Sequence, residues 1–389
     1  MNWKVILSAL ILFVTRIGYA QNGQNSIAFI PVLGLSTTSP DDDVLKGKLY
    51  GIELAYQLNM ANNNTAWVHL LHVQDVGVSF IYFNLQNFSL ASTPGTRGFL
   101  GTDIGLVNSI DISFLKAGNI NFLFSPGFGF LYTTQTYYTT YNPIVGSHIN
   151  LAVQAGLKIE TPVNTSTRIQ AGISYFHYSN SAFKLPNDGI NNINASIGLI
   201  QDINSNGPVR QKATFGINNQ HSFEFGIGIG RRGLIQSGKY TDPKTGKPII
   251  LTDSAAQKMA VSNLYQAGFY AGYNYRLSQV LSLKAGTDMV YYFKPFSYNS
   301  FYRTYEETGT SFNRLNVGLS LGTDIWLGRL AFNANYGYYL HYANIDSIHG
   351  YWIMGGKYYL NPWMALNAKI YIHQFEAHYA NFGIVVNVF

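Results

Sequence analysis

Apolar and polar residues alternate strictly along several stretches of this chain. Between Ser147 and Glu160, the odd positions from Ile149 to Ile159 are apolar, and the even positions are mostly polar or small. Alternation over more than ten residues predicts a β-strand with one apolar and one polar face. Such strands exceed the ~5–6 residues usual in soluble sheets and suit the ~9–11 residues of a membrane-spanning strand. The same period recurs in residues 122–130, 221–229, 281–291 and 315–325.

The connections between these strands alternate in length. Short turns such as KAGN (116–119) and LNPW (360–363) are interspersed with long polar loops such as residues 133–146 and 231–258. Short periplasmic turns and long outer loops are typical of bacterial outer-membrane barrels. Because only a closed barrel satisfies every backbone group of a sheet in lipid, the pattern predicts an all-β, antiparallel transmembrane β-barrel of the outer membrane.

The pattern predicts about sixteen strands, eight on each side of a polar connector at residues 202–214. The halves, residues 21–201 and 215–389, look like a diverged duplication. Two closures fit this pattern, one barrel of about sixteen strands or two tandem barrels of eight. The terminal aromatic Phe389 resembles the assembly signal of outer-membrane barrels, and its single occurrence favours one barrel.

Composition agrees with an exported chain that faces something other than water. Charged residues make up 11 % of the chain and aromatic residues 15 %, whereas average soluble proteins contain roughly 25 % charged residues. Residues 1–20 combine Lys4, an apolar run and the small-residue end GYA, which predicts a secretory signal peptide cleaved before Gln21. The absence of cysteine excludes disulfides, thiolate metal sites and a lipoprotein anchor.

One stretch, FHYSNSAFKLPNDGINN at residues 176–192, carries candidate chemistry. The odd positions from 169 to 175 are the apolar, lipid-facing side of the preceding strand, and His177 and Ser179 continue that side. Polar groups on a lipid-facing surface are costly and usually functional. A serine hydroxyl two residues from an imidazole on one strand face predicts the nucleophile–base pair of acyl transfer.

Asn191 continues the outward face of the following strand, in line with Ile193. Its amide is predicted to accept the far ring N–H of His177 and fix the tautomer, as asparagine does in Cys-His-Asn enzymes. A substrate of an outward-facing site must arrive from the membrane, so a lipid is expected. The alternative interpretation is that His177 and Ser179 are ordinary polar residues of the interfacial belt, because a bare His-x-Ser pair is a weak motif.

At residues 177–191, HYSNSAFKLPNDGIN, the sequence resembles the acyloxyacyl hydrolase-like lipid A 3-O-deacylases of the outer membrane, and more weakly over residues 47–201. The resemblance implies a serine esterase that removes the 3-O-hydroxyacyl chain of lipid A without a metal or other cofactor. It implies Ser179 as nucleophile and His177 as base. The residues expected to support the oxyanion, where N–H groups hold the developing charge, are Asn180, Asn187 and Gly189.

The acidic third member of that family is replaced here. It lies fourteen residues after the histidine, where this chain has Asn191, so Asp188 in the turn is an alternative acidic partner. A His-x-Ser-Asn motif followed by this asparagine also resembles outer membrane phospholipase A, which is the alternative function. That enzyme's glycine–arginine pair is missing, since Ser181 and Ala182 stand there, and the PNDGIN turn favours the deacylase.

Other polar residues leave a third alternative, a porin or structural barrel without catalysis. His373 has a comparable place in the second half but shares its face with Lys369 and Tyr371, so we expect it to face the lumen and assign it no chemistry. His69 and His72 show no third ligand, and no metal is expected there. The residues that suit either a wet pore or a salt-bridged plug are Lys158, Glu160, Glu224, Lys284 and Asp288.

The expected partners follow from this setting. They are lipid A of lipopolysaccharide as substrate, the outer-membrane lipids and the barrel assembly machinery, with no nucleic acid. A net charge of +6 fits contact with the phosphates of lipid A, although an ordinary solvated loop explains the basic residues equally well. Those residues, predicted on one outer loop, are Arg231, Arg232, Lys239, Lys244 and Lys247.

Overall fold

The chain folds into two compact units, each built around one closed β-barrel. Several predicted features lie outside the described residues. They are the signal peptide, most of the connector, and the loop lysines Lys239, Lys244 and Lys247. Among the described residues, no helix has the length and apolar composition needed to cross a membrane. The computed structural model describes residues 25–38, 45–61, 63–91, 95, 97–140, 142, 144–184, 186–203, 219–235, 240–241, 248–249, 261–293, 314–342, 349–373 and 376–389.

Eight antiparallel strands form the first barrel. Each strand pairs with its neighbours in the chain, and β1 pairs with β8 to close the ring. Two short helices, α1 (Ala66–Leu70) and α2 (Tyr137–Thr140), lie in the connections. The strands are β1 (Asn25–Ser36), β2 (Leu49–Asn59), β3 (Val73–Asn84), β4 (Thr102–Ala117), β5 (Ile120–Thr133), β6 (Ile149–Pro162), β7 (Thr167–Ser179) and β8 (Ile190–Ile203).

The second barrel repeats this topology, with β9 pairing with β16 to close it. Short pairings of two residues, 45–46 with 89–90 and 240–241 with 248–249, lie outside the barrels. The strands are β9 (His221–Ile235), β10 (Val261–Arg276), β11 (Leu281–Tyr292), β12 (Leu315–Leu327), β13 (Leu330–His341), β14 (Gly350–Asn361), β15 (Met364–His373) and β16 (Glu376–Val388).

The closure of these strands corrects one prediction. The all-β class and the sixteen barrel strands are confirmed, but the single large barrel is wrong and the alternative of two eight-stranded barrels is correct. The β1–β8 ladder runs from Asn25 opposite Ile203 to Ser36 opposite Asn192. Because this ladder satisfies the edges of the first eight strands, no edge is left for the second eight to extend.

The barrel interiors are filled rather than open. In the first barrel, Nζ of Lys158 lies 3.0 Å from Oδ1 of Asp111, and an Arg168 guanidinium nitrogen lies 2.5 Å from Oε1 of Glu160. A cavity beside Lys158 in this barrel has a volume of about 20 Å³, enough for roughly one water molecule. The polar lumen of the first barrel is therefore a salt-bridged plug.

The second barrel contains a denser ionic network. Glu224 accepts from Lys284 at 2.6 Å and from Lys357 at 2.7 Å, and Lys357 also lies 2.5 Å from Asp324. A cavity in this barrel, beside Lys357 and Asp288, also has a volume of about 20 Å³. Paired in this way, the buried charges compensate one another's desolvation, so this barrel is plugged as well.

Two of the five basic residues predicted on one outer loop lie in a barrel strand. Arg231 and Arg232 belong to strand β9 rather than to an outer loop. Arg232 is buried, with 7 % of its surface exposed. The alternation of β9 continues through these residues, so the strand is longer than its apolar pattern indicated. The prediction of five basic residues on one loop is therefore wrong for these two.

Buried apolar side chains pack together within the first barrel and link the long loops to its strands. The cluster includes Phe176, Tyr178 and Ile190, which flank the candidate site in sequence but point inward. The Tyr178 hydroxyl also donates to the Asp103 carboxylate. These contacts anchor the end of β7 and the start of β8 from inside, where the outward residues of the same strands form the site.

Candidate functional site

The candidate site lies where β7 ends and β8 begins, on the outer face of the first barrel. Phe176 and Tyr178 are 1 % and 0 % exposed, whereas Ile173 and Tyr175 are 59 % and 47 % exposed. Side chains alternate between the two faces of a strand, so His177 lies on the outward face with Ile173 and Tyr175. The outward orientation predicted for His177 is confirmed, whereas Ser179 is buried, with 8 % of its surface exposed.

His177 and Asn191 face each other directly across the β7–β8 ladder. Nδ1 of His177 donates to Oδ1 of Asn191 across 2.7 Å. A neutral imidazole with its proton on Nδ1 has a free lone pair on Nε2, which is the state that a general base requires. The predicted contact between these two residues is present, and it holds the ring in the tautomer that can accept a proton.

Ser179 is the last residue of β7 and pairs with Leu151 of β6. It follows His177 on the same face of the strand. In the part of the chain that the structure describes, no hydrogen bond joins Oγ of Ser179 to the His177 ring. Such bonds are often long before substrate binds and shorten in the reactive complex. Ser179 and His177 therefore lie side by side on the strand without a direct hydrogen bond between their side chains.

Gly189 packs against both residues. Its φ of +72° lies in the left-handed region, and a Cβ atom added to it would lie 2.7 Å from Cε1 of His177 and 3.2 Å from Cβ of Ser179. Only glycine combines this backbone conformation with this close approach. The predicted supporting residue thus contacts the pair through its backbone.

The loop between the strands is organised by Asn180. Its side chain accepts from Lys184 N–H at 3.0 Å and donates to the Lys184 carbonyl at 2.7 Å. Its own N–H donates to Oδ1 of Asn187 at 2.7 Å. The two predicted asparagines are therefore in contact, and the Asn180 N–H is engaged by Asn187.

A tight turn follows Asn180. Ser181 and Ala182 have φ values of +54° and +61°, and the N–H of Phe183 donates to the Asn180 carbonyl at 3.1 Å. Left-handed conformations cost roughly 1–2 kcal/mol per non-glycine residue. The chain therefore maintains local strain two residues after Ser179.

Three residues that the sequence did not single out hold Asn191. Oγ1 of Thr38 accepts the Asn191 N–H at 2.7 Å and donates to the Gly189 carbonyl at 3.4 Å. The Asn191 carbonyl accepts from Ser36 Oγ at 3.1 Å. The Tyr175 hydroxyl donates to Oδ1 of Asn191 at 2.7 Å. Thr38 and Asn191 are 153 residues apart, so only closure of the barrel brings them together.

Asp188, the alternative acidic partner, is exposed in the loop, and its backbone N–H donates to the Ile144 carbonyl at 3.2 Å. Because Asn191 already occupies Nδ1 of His177, the Asp188 carboxylate does not hold that nitrogen in this structure. The NPIVGS loop, which contains Ile144, contacts the loop between β7 and β8 through this backbone hydrogen bond.

His373 lies inside the second barrel, as its parity predicts. It is 2 % exposed, and its Nε2 lies 3.1 Å from the Tyr339 hydroxyl. Its ring lies at a tilt of 31° to that of His378, with the ring centroids 4.3 Å apart. Position 375, two residues further on, lies outside the described residues. Across the described ranges, no group of three His, Asp or Glu side chains is placed to hold a metal ion.

Several solved structures are similar to this chain. They include the crystal structure of the outer membrane enzyme PagL, with 16 % identity and a TM-score of 0.30, covering 44 % of this chain and 97 % of that chain. The NanC porin has 8 % identity and a TM-score of 0.16, with coverage of 93 % and 100 %. The Pseudomonas putida toluene transporter TodX has 9 % identity and a TM-score of 0.18, with coverage of 95 % and 90 %. No curated protein matches.

Family comparison divides the chain along its two halves. Residues 50–199 match the family described as lipid A 3-O-deacylase (PagL). Residues 245–389 match the family described as acyloxyacyl hydrolase, C-terminal domain. The first match contains the His177, Ser179 and Asn191 constellation, and each match falls largely on one barrel. The chain therefore belongs to the lipid A 3-O-deacylase family of outer-membrane β-barrel ester hydrolases.

Proposed function

We propose that the first barrel removes an ester-linked 3-hydroxyacyl chain from lipid A with Ser179 as nucleophile, His177 as general base and Asn191 as the group that orients the imidazole. The observation that carries the proposal is the 2.7 Å hydrogen bond from His177 Nδ1 to Asn191 Oδ1, on the lipid-facing side beside Ser179. A lipid substrate reaches this face by lateral diffusion, without crossing the filled lumen.

The reaction proceeds through an acyl-enzyme. Nε2 of His177 takes the hydroxyl proton as Oγ of Ser179 attacks the acyl carbonyl carbon, and the tetrahedral intermediate forms. The imidazolium then protonates the departing 3-oxygen of lipid A as the ester bond breaks. Water attacks the acyl-serine with His177 again as base, and the imidazolium then protonates the departing Oγ, which releases the 3-hydroxy fatty acid and regenerates Ser179.

The oxyanion of the tetrahedral intermediate needs donors close to Ser179. The backbone N–H of Gly189 is proposed for this role, because Gly189 lies beside Ser179. Asn180 supports the site by bracing the loop through Lys184 and Asn187. Preorganised donors of this kind are worth on the order of 10²–10³-fold in turnover each.

A phospholipid hydrolase is the second candidate function. The observation that favours it is the neutral third member, since Asn191 rather than a carboxylate engages His177. Both candidates use the same serine and histidine, so only the substrate separates them. Calcium dependence together with phospholipid cleavage would support this candidate.

The remaining assignments concern export and domain boundaries. We propose that residues 1–20 are a signal peptide, that residues 21–201 form the deacylase half, that 202–214 connect the halves, and that 215–389 form a half without its own site. The terminal strand β16 and the adjacent Phe389 are proposed to engage the barrel assembly machinery. Amino-terminal sequencing of the protein isolated from outer membranes tests the cleavage before Gln21.

Mass spectrometry of lipid A tests the function directly. Lipid A is compared from cells that produce the wild-type chain, the Ser179→Ala variant or neither. We expect the loss of one 3-hydroxyacyl chain only with the wild type, and release of the matching free acid by the purified enzyme in detergent. Unchanged lipid A with cleavage of phospholipid would replace the proposal by the second candidate.

A further inference from the structure

Asn191 Oδ1 accepts two hydrogen bonds, one from His177 Nδ1 and one from the Tyr175 hydroxyl, each 2.7 Å long. Tyr175 lies on the lipid-facing side of β7, two residues before His177, and 47 % of its surface is exposed. Its cross-strand neighbour on β8 is Ile193, so its hydroxyl reaches diagonally along the sheet to Asn191. Neither the proposed reaction nor the family match assigns a role to this side chain.

An asparagine in this position has an ambiguity that a carboxylate lacks. A carboxylate presents only acceptor oxygens, whereas an amide has one acceptor oxygen and one donor nitrogen. Rotation of the amide by half a turn, which its broad terminal torsion permits, would place Nδ2 against Nδ1 of His177. Nδ1 would then act as acceptor and the proton would move to Nε2, so the ring could not take the proton of Ser179.

We infer that Tyr175 is a positioning residue that locks the Asn191 amide with Oδ1 toward His177 and so keeps the base in its reactive tautomer. A phenol is a weakly acidic O–H with a pKa near 10 and donates more readily than it accepts, so it selects the oxygen end of the amide. Backbone contacts of Asn191 with Thr38 and Ser36 hold the main chain but leave the side-chain torsion free. Tyr175 supplies this missing constraint.

This inference rests on the proposed function. It predicts that the effect of Tyr175→Phe on kcat depends on which residue occupies position 191. Tyr175→Phe removes only the hydroxyl, so kcat is expected to fall on the order of 10-fold with KM unchanged, the effect of one hydrogen bond. In the isosteric Asn191→Asp background, both ends of the side chain accept, so adding Tyr175→Phe is expected to change kcat within about twofold. The same loss in both backgrounds would overturn the inference, because Tyr175 would then act through lipid contact or packing.

Tyr50 provides the matched control. It is a lipid-facing tyrosine near the corresponding end of β2 with 51 % of its surface exposed, and its hydroxyl has no hydrogen-bond partner among the described residues. Tyr50→Phe is expected to leave kcat unchanged. If Asn191→Asp does not fold, the Asn191→Ala background is used instead. In that background, Tyr175→Phe is expected to cause no further loss of kcat. An additive loss of kcat would contradict the inference.

Ser179→Ala in the same assay separates the two levels of the argument. Retained hydrolysis in Ser179→Ala removes the proposed site as a whole. An inactive Ser179→Ala enzyme together with a fully active Tyr175→Phe enzyme removes only the positioning role of Tyr175. Ester hydrolysis is measured with folded enzyme in detergent, and heat-modifiable migration on SDS gels verifies that each variant forms its barrels.

Discussion

A Cβ atom at Gly189 would lie 2.7 Å from Cε1 of His177. The backbone of Gly189 therefore limits movement of the His177 imidazole. Asn191 holds the neighbouring ring atom, Nδ1, so the hydrogen bond and the glycine backbone both restrict the same edge of the imidazole. The position of the His177 ring depends on this close approach as well as on its hydrogen bond.

Gly189→Ala is expected to lower turnover on the order of 10²-fold, because a displacement of about 1 Å at a reacting group has that effect. Gly118→Ala is the matched control, since Gly118 also has a positive φ of +58° but has nothing within 4 Å of an added Cβ. Both variants carry roughly 1–2 kcal/mol of backbone strain. Equal kcat values in the two variants would show that strain, rather than contact with His177, explains any loss.

Ser179→Ala and His177→Ala are each expected to reduce hydrolysis on the order of 10³-fold or more, and the double variant little further, since residues that act as one unit are non-additive. Both side chains lie on the outer face, so the barrel is expected to fold. Hydrolysis rates and the heat-modifiable gel shift are measured together. Additive losses in the double variant would contradict a shared step.

Variants at Asn191 test the orienting role. Asn191→Ala is expected to lower kcat with substrate binding retained, while Asn191→Glu is expected to keep or raise kcat because a carboxylate stabilises the imidazolium. A charge near the membrane interface costs only ~0–1 kcal/mol. Asp188→Asn is expected to be fully active. An inactive Asp188→Asn enzyme beside an unaffected Asn191→Ala enzyme would transfer the role to the loop aspartate.

His373→Ala is expected to leave hydrolysis unchanged and to destabilise the second barrel. The substitution removes a buried ring and leaves the Tyr339 hydroxyl without the partner it has at 3.1 Å, which costs about 1–3 kcal/mol. Hydrolysis and the unfolding temperature of the gel-shifted form are the two readouts. A loss of turnover without a loss of stability would indicate chemistry in the second half.

Neither barrel is expected to conduct ions. Ion pairs such as Lys158–Asp111 in the first lumen and Lys357–Asp324 in the second occupy the interior, and the cavities beside them hold about 20 Å³ each. Planar-bilayer recordings with folded protein are expected to show no stable open-pore current. A steady conductance that Ser179→Ala leaves unchanged would favour the porin alternative.

The sequence by itself determined the strands and the direction in which their side chains point. Alternation depends on adjacent residues, so the outward placement of His177 and the inward placement of His373 followed from parity alone. Parity likewise placed Asn191 on the outward face of the neighbouring antiparallel strand, in line with Ile193. These are local properties, and a period of two residues is sufficient to encode them.

Only the tertiary structure decided how the strands close and what surrounds Asn191. The β1–β8 ladder joins backbone groups more than 150 residues apart, such as Ser36 and Asn192, and backbone hydrogen bonds carry no side-chain signal that identifies their partner. Thr38 reaches Asn191 through that closure. The Tyr175 hydroxyl and the close approach of Gly189 depend on distances of a few ångströms across the sheet, which alternation of apolar and polar positions does not specify.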